Sequence, residues 1–290
     1  MSNPTEPRRE HPSTYFVQDR SSREELTRLE VQDQMITASM GGLLPEQPDP
    51  ATFQRVLDVG CGTGGWLIEV ARAYPSISLL VGIDVSGRMI EYAQAQAAAR
   101  QIGERVEFCT MDALRMLEFP ADYFDLVNQR FGHSFLRTWD WPKILHEYQR
   151  VARPGGVIRV TESDIITENT SPALTRLSKV FLEASHHAGH LFSSDSKGIT
   201  GDLARLLSRY GLQNVQTRTY TLNYRAGTPE GQRYYEDTKL AETLLPFIRK
   251  WTRLPEDYPL LRQQALEDMQ QPDFVASLSV LTAWGTKGSR

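Results

Sequence analysis

The residues best suited to chemistry lie together in Val56-Leu57-Asp58-Val59-Gly60-Cys61-Gly62-Thr63-Gly64-Gly65. Glycines that open a helix turn backbone N–H groups and the positive end of the helix dipole toward whatever sits above them. They also tolerate positive φ and let a ligand come close to the backbone. The stretch reads as G-x-G-x-x-G at 60, 62 and 65, a dinucleotide pattern, or as D-x-G-x-G-x-G at 58, 60, 62 and 64. The second, with an acid two residues ahead of the first glycine, is the more specific. Asp84 stands 20 residues beyond Gly64 at the end of the next apolar run. A carboxylate there can accept two hydrogen bonds from a ribose diol, or simply cap a helix. Asp112 follows a third run, in Cys109-Thr110-Met111-Asp112-Ala113, and can accept a bond from an exocyclic adenine amine. Acids just past successive strands of one sheet edge point to an adenosine-bearing ligand.

The elements that must position these groups alternate. Apolar runs at 55–60, 79–84, 105–110, 123–128 and 157–162 predict strands. Between them, helical spacing appears in Trp66, Leu67, Val70, Ala71 and Tyr74, in the Ala- and Gln-rich segment 87–102, and in Ile144, Leu145, Tyr148 and Val151. Arg153-Pro154-Gly155-Gly156 is expected to end the last of these helices. The pattern predicts an α/β fold, a parallel sheet with helices on both faces. Ahead of it, residues 1–14 read as a flexible tail, and 15–50 as a lid helix and Pro-rich linker. That helix is opened by Ser21 or Ser22 with Glu24 or Glu25, carries Leu26, Leu29, Met35 and Ile36 as its apolar side, and stops at Gly41-Gly42. The sheet-forming core is expected over 51–165, and 166–290 completes the same domain. In that last part, helices are expected at 172–192 and 200–210 and strands at 213–224 and 274–287. Helical insertions at about 166–199 and 226–273 fall on the ligand side of the sheet.

In this order and spacing, VLDVGCGTGG, GIDVS, TMDA, FDLVN and RPGG resemble the class I S-adenosylmethionine-dependent methyltransferases over roughly residues 50–165. The resemblance implies a Rossmann-like, doubly wound, seven-stranded sheet whose last strand is antiparallel. It implies S-adenosylmethionine as cofactor and S-adenosylhomocysteine as product. Gly60, Gly62 and Gly64 would wrap the methionine part, with Asp58 and Cys61 in the same loop. Asp84 would hold the ribose beside Val85. Met89 or Ile83 would contact the adenine, Met111, Asp112 and Ala113 would meet its edge, and Asn128 would form the far wall. The leading helix, with Arg28-Leu29-Glu30-Val31-Gln32, is similar to that of the small-molecule branch related to quinone-biosynthesis C-methyltransferases. There Arg28 would pair with the methionine carboxylate, the alternative being a solvated helix charge.

Methyl transfer is an in-line displacement onto a carbon, oxygen or nitrogen acceptor, so the protein must align the acceptor, exclude water and, for carbon or oxygen, remove a proton, which an amine does not always require. Candidates past the strand ends are Gln129, Arg130 and His133 after the fourth strand and Glu162 after the fifth. His133 and Glu162 are candidate bases, and Arg130 a candidate anion or carbonyl holder. Tyr15 and Phe16 would close over the methyl group or pack on the core. His186, His187 and His190 invite a metal, but the stripe Leu174, Leu177, Phe181, Ala184, Ala188 and Leu191 puts His186 and His190 on the opposite face with no further ligand nearby. No metal is expected.

Composition narrows the partners. The 290 residues carry 32 Lys and Arg against 36 Asp and Glu, a formal net charge of −4, which disfavours nucleic acid. Two cysteines, Cys61 and Cys109, and the absence of a long apolar run suit a cytoplasmic protein without a membrane span, monomeric or homodimeric, acting on a small-molecule methyl acceptor. The glycines at 60, 62 and 65 keep an NAD(P)-dependent oxidoreductase as the alternative, and the lack of a secure base keeps a non-catalytic S-adenosylmethionine-binding or scaffold protein.

Overall fold

A computed structural model describes residues 14–17, 22–166 and 168–288. The expected tail, apart from Thr14, and Ser21 as the alternative cap lie outside the described residues. The core strands are β1 (Arg55–Val59), β2 (Leu79–Asp84), β3 (Val106–Thr110), β4 (Phe124–Arg130) and β5 (Ala152–Ser163). They run parallel in the order β3-β2-β1-β4-β5. Four of the five β1 residues are buried, which is why its sequence is a continuous apolar run and not an alternating one. One face is covered by α2 (Gly65–Ala73) and α3 (Gly87–Ala99), packed on Val56, Leu80 and Leu126. The other is covered by α4 (Trp141–Val151) and α6 (Thr200–Arg209), packed on Leu57, Val59, Val127, Ile158 and Val160.

Beyond β5, β8 (Val275–Thr286) is antiparallel to β5 on one side and to β7 (Gln213–Arg225) on the other. The sheet has eight strands where seven were expected. The extra one, β6 (Glu168–Asn169), pairs with Ser277 and Ala276. Residues 276 and 277 already bond β7 on their other edge, so β6 continues the line of β5 and the sheet is seven strands across.

Several boundaries move. Arg153-Pro154-Gly155-Gly156 does not end α4 as a turn. It is the start of β5, with a register irregularity against β4 between Phe124 and Leu126 and Gly155 at φ +71. The strand β4 runs to Arg130, so Gln129 and Arg130 are strand residues, not loop residues. The helix α5 (Pro172–His187) is shorter than expected and is followed by Gly189 at φ +83, which removes His190 from the helix.

The lid helix α1 (Arg23–Ser39) is capped by the Ser22 hydroxyl, which accepts from the Glu25 N–H. Its inward face is not the expected apolar one along its whole length. Met35 and Ile36 are buried, yet so are Glu25 and Arg28, while Leu26 and Leu29 stay half-buried. Against it lies α7 (Pro229–Leu240), while α8 (Leu245–Trp251) and α9 (Tyr258–Asp268) pack on α5, and these helices join α1, β7 and β8 in two further apolar clusters. No helix among the described residues is long and apolar enough to cross a membrane.

Candidate active site

A cavity of about 380 Å³ opens above the carboxyl ends of the parallel strands, beneath α1 and residues 14–16. That is where the order β2-β1-β4 reverses direction in the chain, the usual ligand crevice of an open α/β sheet. The glycine loop forms its floor. Gly60, Gly62 and Gly64 have φ of +70, +53 and +75, a region closed to most side chains. A Cβ on Gly60 would sit 2.8 Å from the Phe135 ring, whereas one on Gly62 would meet nothing nearer than Leu29 at 4.0 Å. Gly62 is thus open toward the cavity. Gly64 is not part of its lining: a Cβ there would strike Phe108 at 2.7 Å and Ala93 at 2.8 Å, so this glycine lets α2 pack on α3 and β3.

Asp84 accepts from the Gly62 N–H at 3.1 Å and from the Ser86 N–H at 2.8 Å, which fixes its carboxylate at the mouth of the loop. Ile83, Val85, Met89, Met111, Asp112 and Ala113 line the same end, and Asp112 is steadied by the Leu114 N–H at 2.9 Å. Asp58, also lining, is 4% exposed, and burial pushes its carboxyl up to about 6 against the pull of Arg130 and Asn128. Burial likewise pushes the Cys61 thiol well up, so it is no thiolate nucleophile.

Arg28 is no solvated charge. It is 6% exposed and makes a two-pronged contact with Glu25, Nε to Oε2 and Nη2 to Oε1, each at 2.8 Å. Its Nη1 reaches Asp237 of α7 at 3.4 Å, and the Tyr15 hydroxyl donates to Glu25 at 2.7 Å. Burial works against the guanidinium charge, but the Glu25 bonds and the surrounding negative groups hold its pKa above the ordinary value. Arg130 donates to Asp33 at 2.6 Å and lies 5.5 Å from the Trp66 ring. A Cβ on Gly65 would fall 2.5 Å from the Asp33 carboxylate, which therefore sits at the N-terminus of α2.

At the opposite end, His133 and Glu162 come together. His133 Nδ1 lies 2.5 Å from Glu162 Oε2, and the His133 N–H also points at this carboxylate at 3.3 Å. Glu162 is fully buried and outside the lining, as is Gln129, which bridges Glu162 (3.3 Å) and the Tyr148 hydroxyl (2.6 Å). Gln129 therefore braces Glu162 and does not reach the cavity. Phe131, in the left-handed region at φ +55, turns the chain from β4 toward His133. A Cβ on Gly132 would lie 1.8 Å from Gln129 Nε2, so only glycine allows this approach. Phe16, 4% exposed, packs against Phe181, Phe247, His133 and His190.

Of the residues singled out in the sequence for the cofactor, the acceptor or a base, Gly64, Asn128, Gln129 and Glu162 do not line this cavity and the others do. Asn128 is buried within the sheet, bonded to Asp58 and Arg159, and is no far wall. His190, whose face the helix count left open between solvent and the pocket, is in neither place: it is 1% exposed, outside the lining, with its Nδ1 2.9 Å from the Leu136 carbonyl. His186 and His187 stand outside the cavity lining, and among the described residues no three His, Cys, Asp or Glu groups are placed to share a metal. Glu25, Asp33, Phe135, Phe181, Tyr234 and Asp237 were missed. For Glu25 a signal existed: α1 carries Glu25 and Arg28 at an i,i+3 spacing where its apolar residues are sparse.

Residues 56–156 match the family described as a methyltransferase domain. The aklanonic acid methyltransferase DauC of Streptomyces sp. (strain C5) is 36% identical over 135 residues, 47% of this chain and 59% of that enzyme. The chain thus matches less than two thirds of that relative's length. The demethylmenaquinone methyltransferase of Geobacillus kaustophilus is 26% identical over 189 residues, 60% of this chain and 76% of that protein. Among solved structures, Haemonchus contortus phosphoethanolamine N-methyltransferase 2, bound to S-adenosylhomocysteine, superposes with a TM-score of 0.56 at 18% identity, covering 96% of this chain and 61% of that one. Residues 56–156 thus match a methyltransferase domain, the chain is similar to demethylmenaquinone methyltransferases, and the cofactor of such a domain is S-adenosylmethionine. The residues fit this group: Gly62 of the glycine loop is open toward the cavity, and the Asp84 carboxylate is fixed beside it.

Proposed function

We propose that this chain is an S-adenosylmethionine-dependent methyltransferase acting on a small, uncharged, largely aromatic acceptor that must lose a proton from oxygen or carbon. The observation that carries this reading is the His133–Glu162 pair at the end of the cavity away from Asp84. Gly60, Gly62, Asp84, Met89, Asp112 and Ala113 would hold the cofactor, whose sulfonium presents an electrophilic methyl when bound. With its Nδ1–H donating to Glu162, the His133 imidazole keeps the Nε2 lone pair as the base. Glu162 fixes this tautomer and compensates the imidazolium that forms, the logic of a base held by a third group.

The acceptor's chemistry follows from the walls. Phe16, Phe131, Phe135, Phe181, Tyr234 and Leu278 give an apolar, aromatic lining. Arg28 is already paired with Glu25 and Asp237, and Arg130 with Asp33, so neither cation is left to neutralise an acceptor carboxylate or phosphate. The lid (15–50) and the helices within 166–199 and 226–273 would set the shape of this compartment. A recessed cavity and a net charge of −4 suit a small molecule better than nucleic acid, in a monomer or homodimer.

The test is mass spectrometry with S-adenosylmethionine and a panel of phenolic and enolic acceptors. A product heavier by one methylene is expected from the wild type. His133→Ala and Glu162→Gln should lower its formation about 10²- to 10⁴-fold while S-adenosylhomocysteine still binds. Turnover unaffected by both substitutions would remove the pair from the mechanism; loss of cofactor binding on Asp84→Ala is the companion expectation.

A further inference from the structure

On the face of the sheet away from His133 and Glu162 lies a second buried polar row, unused by the chemistry above. Asp58 of β1, Asn128 of β4 and Arg159 of β5 are register partners across adjacent strands, so pleating puts all three side chains on one face. Arg159 is 1% exposed and donates through Nη1 to Asn128 Oδ1 at 2.8 Å. Asn128 Nδ2 donates onward to Asp58 Oδ1 at 2.7 Å. Behind them Glu46, in the linker after α1, accepts from Arg159 Nε at 2.6 Å and Nη2 at 3.4 Å, and from the Tyr220 hydroxyl of β7 at 3.3 Å. The direction of the chain is fixed by chemistry. A guanidinium has only donors, so the carboxamide oxygen must face Arg159 and the amide nitrogen must face Asp58.

Stability is a poor reason for such a row. Desolvating both members of an ion pair is costly, and apolar residues of the same volume usually do as well or better. What the row does supply is orientation. One end is anchored to the linker and to β7, the other ends on a carboxylate that lines the cavity beside the glycine loop. An acid at that place, facing a ligand with an amino acid moiety, suits a cation.

We infer that Glu46, Arg159 and Asn128 are positioning residues, which together aim the Asp58 carboxylate at the α-ammonium group of the bound cofactor. This rests on the methyltransferase reading above. The charged and titratable groups around Asp58 are Arg130 and Asp33 at the cavity, Arg159 behind Asn128, and Cys61 and Tyr148. Arg130, Arg159 and the Asn128 bond all favour the ionised carboxylate against a burial that pushes it up to about 6. Removing the row withdraws two of those three supports.

The experiment is calorimetric titration of the full chain with two ligands. S-Adenosylhomocysteine carries the ammonium group; 5′-methylthioadenosine shares the adenosine and sulfur but lacks the amino acid moiety. Two variants are compared with wild type: Asn128→Leu, and the double variant Glu46→Leu/Arg159→Met, which removes both charges at similar volume and so keeps the fold if Asn128→Leu does not. In the folded variants S-adenosylhomocysteine is expected to bind about tenfold more weakly, a hydrogen bond to a charged group, with 5′-methylthioadenosine within twofold of wild type. The pH below which S-adenosylhomocysteine affinity falls, about 6 in the wild type, should move upward in both. Equal weakening of both ligands, or unchanged S-adenosylhomocysteine affinity, overturns the proposal while leaving the methyltransferase reading intact. Wild-type protein that binds neither ligand overturns that reading instead.

Discussion

Asp58 is held as a carboxylate where folding alone would favour a neutral group. Burial, opposed by Arg130 and Asn128, raises its carboxyl from 3.8 to about 6. The native chain therefore holds a proton that the unfolded chain releases between about pH 4 and 6, so this group's contribution to stability falls as pH rises through that window. Asp58→Asn is expected to unfold at a higher temperature than wild type at pH 7.5, by the equivalent of about 2 kcal/mol, with the gap closing by pH 4. Scanning calorimetry at the two pH values checks this; a destabilised variant at pH 7.5 would mean the carboxylate is not held at a cost. His190 titrates in the opposite sense. Burial lowers it from 6.5 to about 4, so the unfolded chain binds the extra proton and stability is lost as pH falls through that interval. His190→Gln should flatten the acid limb of the stability curve between pH 6.5 and 4, and an unchanged limb would assign that loss to other groups.

At the scale of elements, the glycine loop divides its labour between ligand and packing, and substitutions should separate the two. Gly64→Ala places a methyl 2.7 Å from Phe108 and 2.8 Å from Ala93 at φ +75, so a loss of about 2–4 kcal/mol in thermal stability is expected. Gly62→Ala meets open space and should cost only the left-handed backbone, about 1 kcal/mol, while blocking the ligand. Melting curves and S-adenosylhomocysteine titration of both would refute the division if Gly62→Ala proved the less stable. This division also marks what the sequence could reveal. Asp84, Asp112 and the glycines were legible because strand, turn and helix are local and residues at or just past a strand's carboxyl end face the crevice. The role of Gly64 was not, because Phe108 reaches it only once β3 pairs with β2. Glu162 could be named from its place in β5, but not its burial or its tie to His133, which depend on a left-handed turn at Phe131 and a bare Cα at Gly132. Asn128 was misread because a strand's period of two says which face a residue takes, not what covers that face. The same limit hid Asp237 and Tyr234, which arrive from one helix, α7, more than a hundred residues beyond the glycine loop.

Across the whole molecule, the parts that roof the cavity share two apolar clusters and also meet at one buried polar point, Glu25. This fully buried carboxylate accepts from the Tyr15 hydroxyl at 2.7 Å, from Arg28 twice at 2.8 Å and from the Thr243 hydroxyl at 3.1 Å. It thereby gathers the residues before α1, α1 itself and the turn between α7 and α8, and Arg28 extends the link to Asp237 in α7. The doubly wound core shares none of these bonds, resting instead on α4 and α6 against the sheet. Removing Glu25 leaves a buried guanidinium with Asp237 as its remaining ion-pair partner among the described residues, a change that is costly because the charge stays behind. The expected result of Glu25→Ala is local, not global: hydrogen exchange should rise at least tenfold in 23–39 and 229–251 and stay unchanged in 141–151 and 200–209, with S-adenosylhomocysteine bound more weakly. Mass-spectrometric exchange reads both regions in one experiment. A uniform rise would make Glu25 a general stabiliser, whereas a confined one would make the roof a separately opening unit, held by a carboxylate that lies outside the cavity lining.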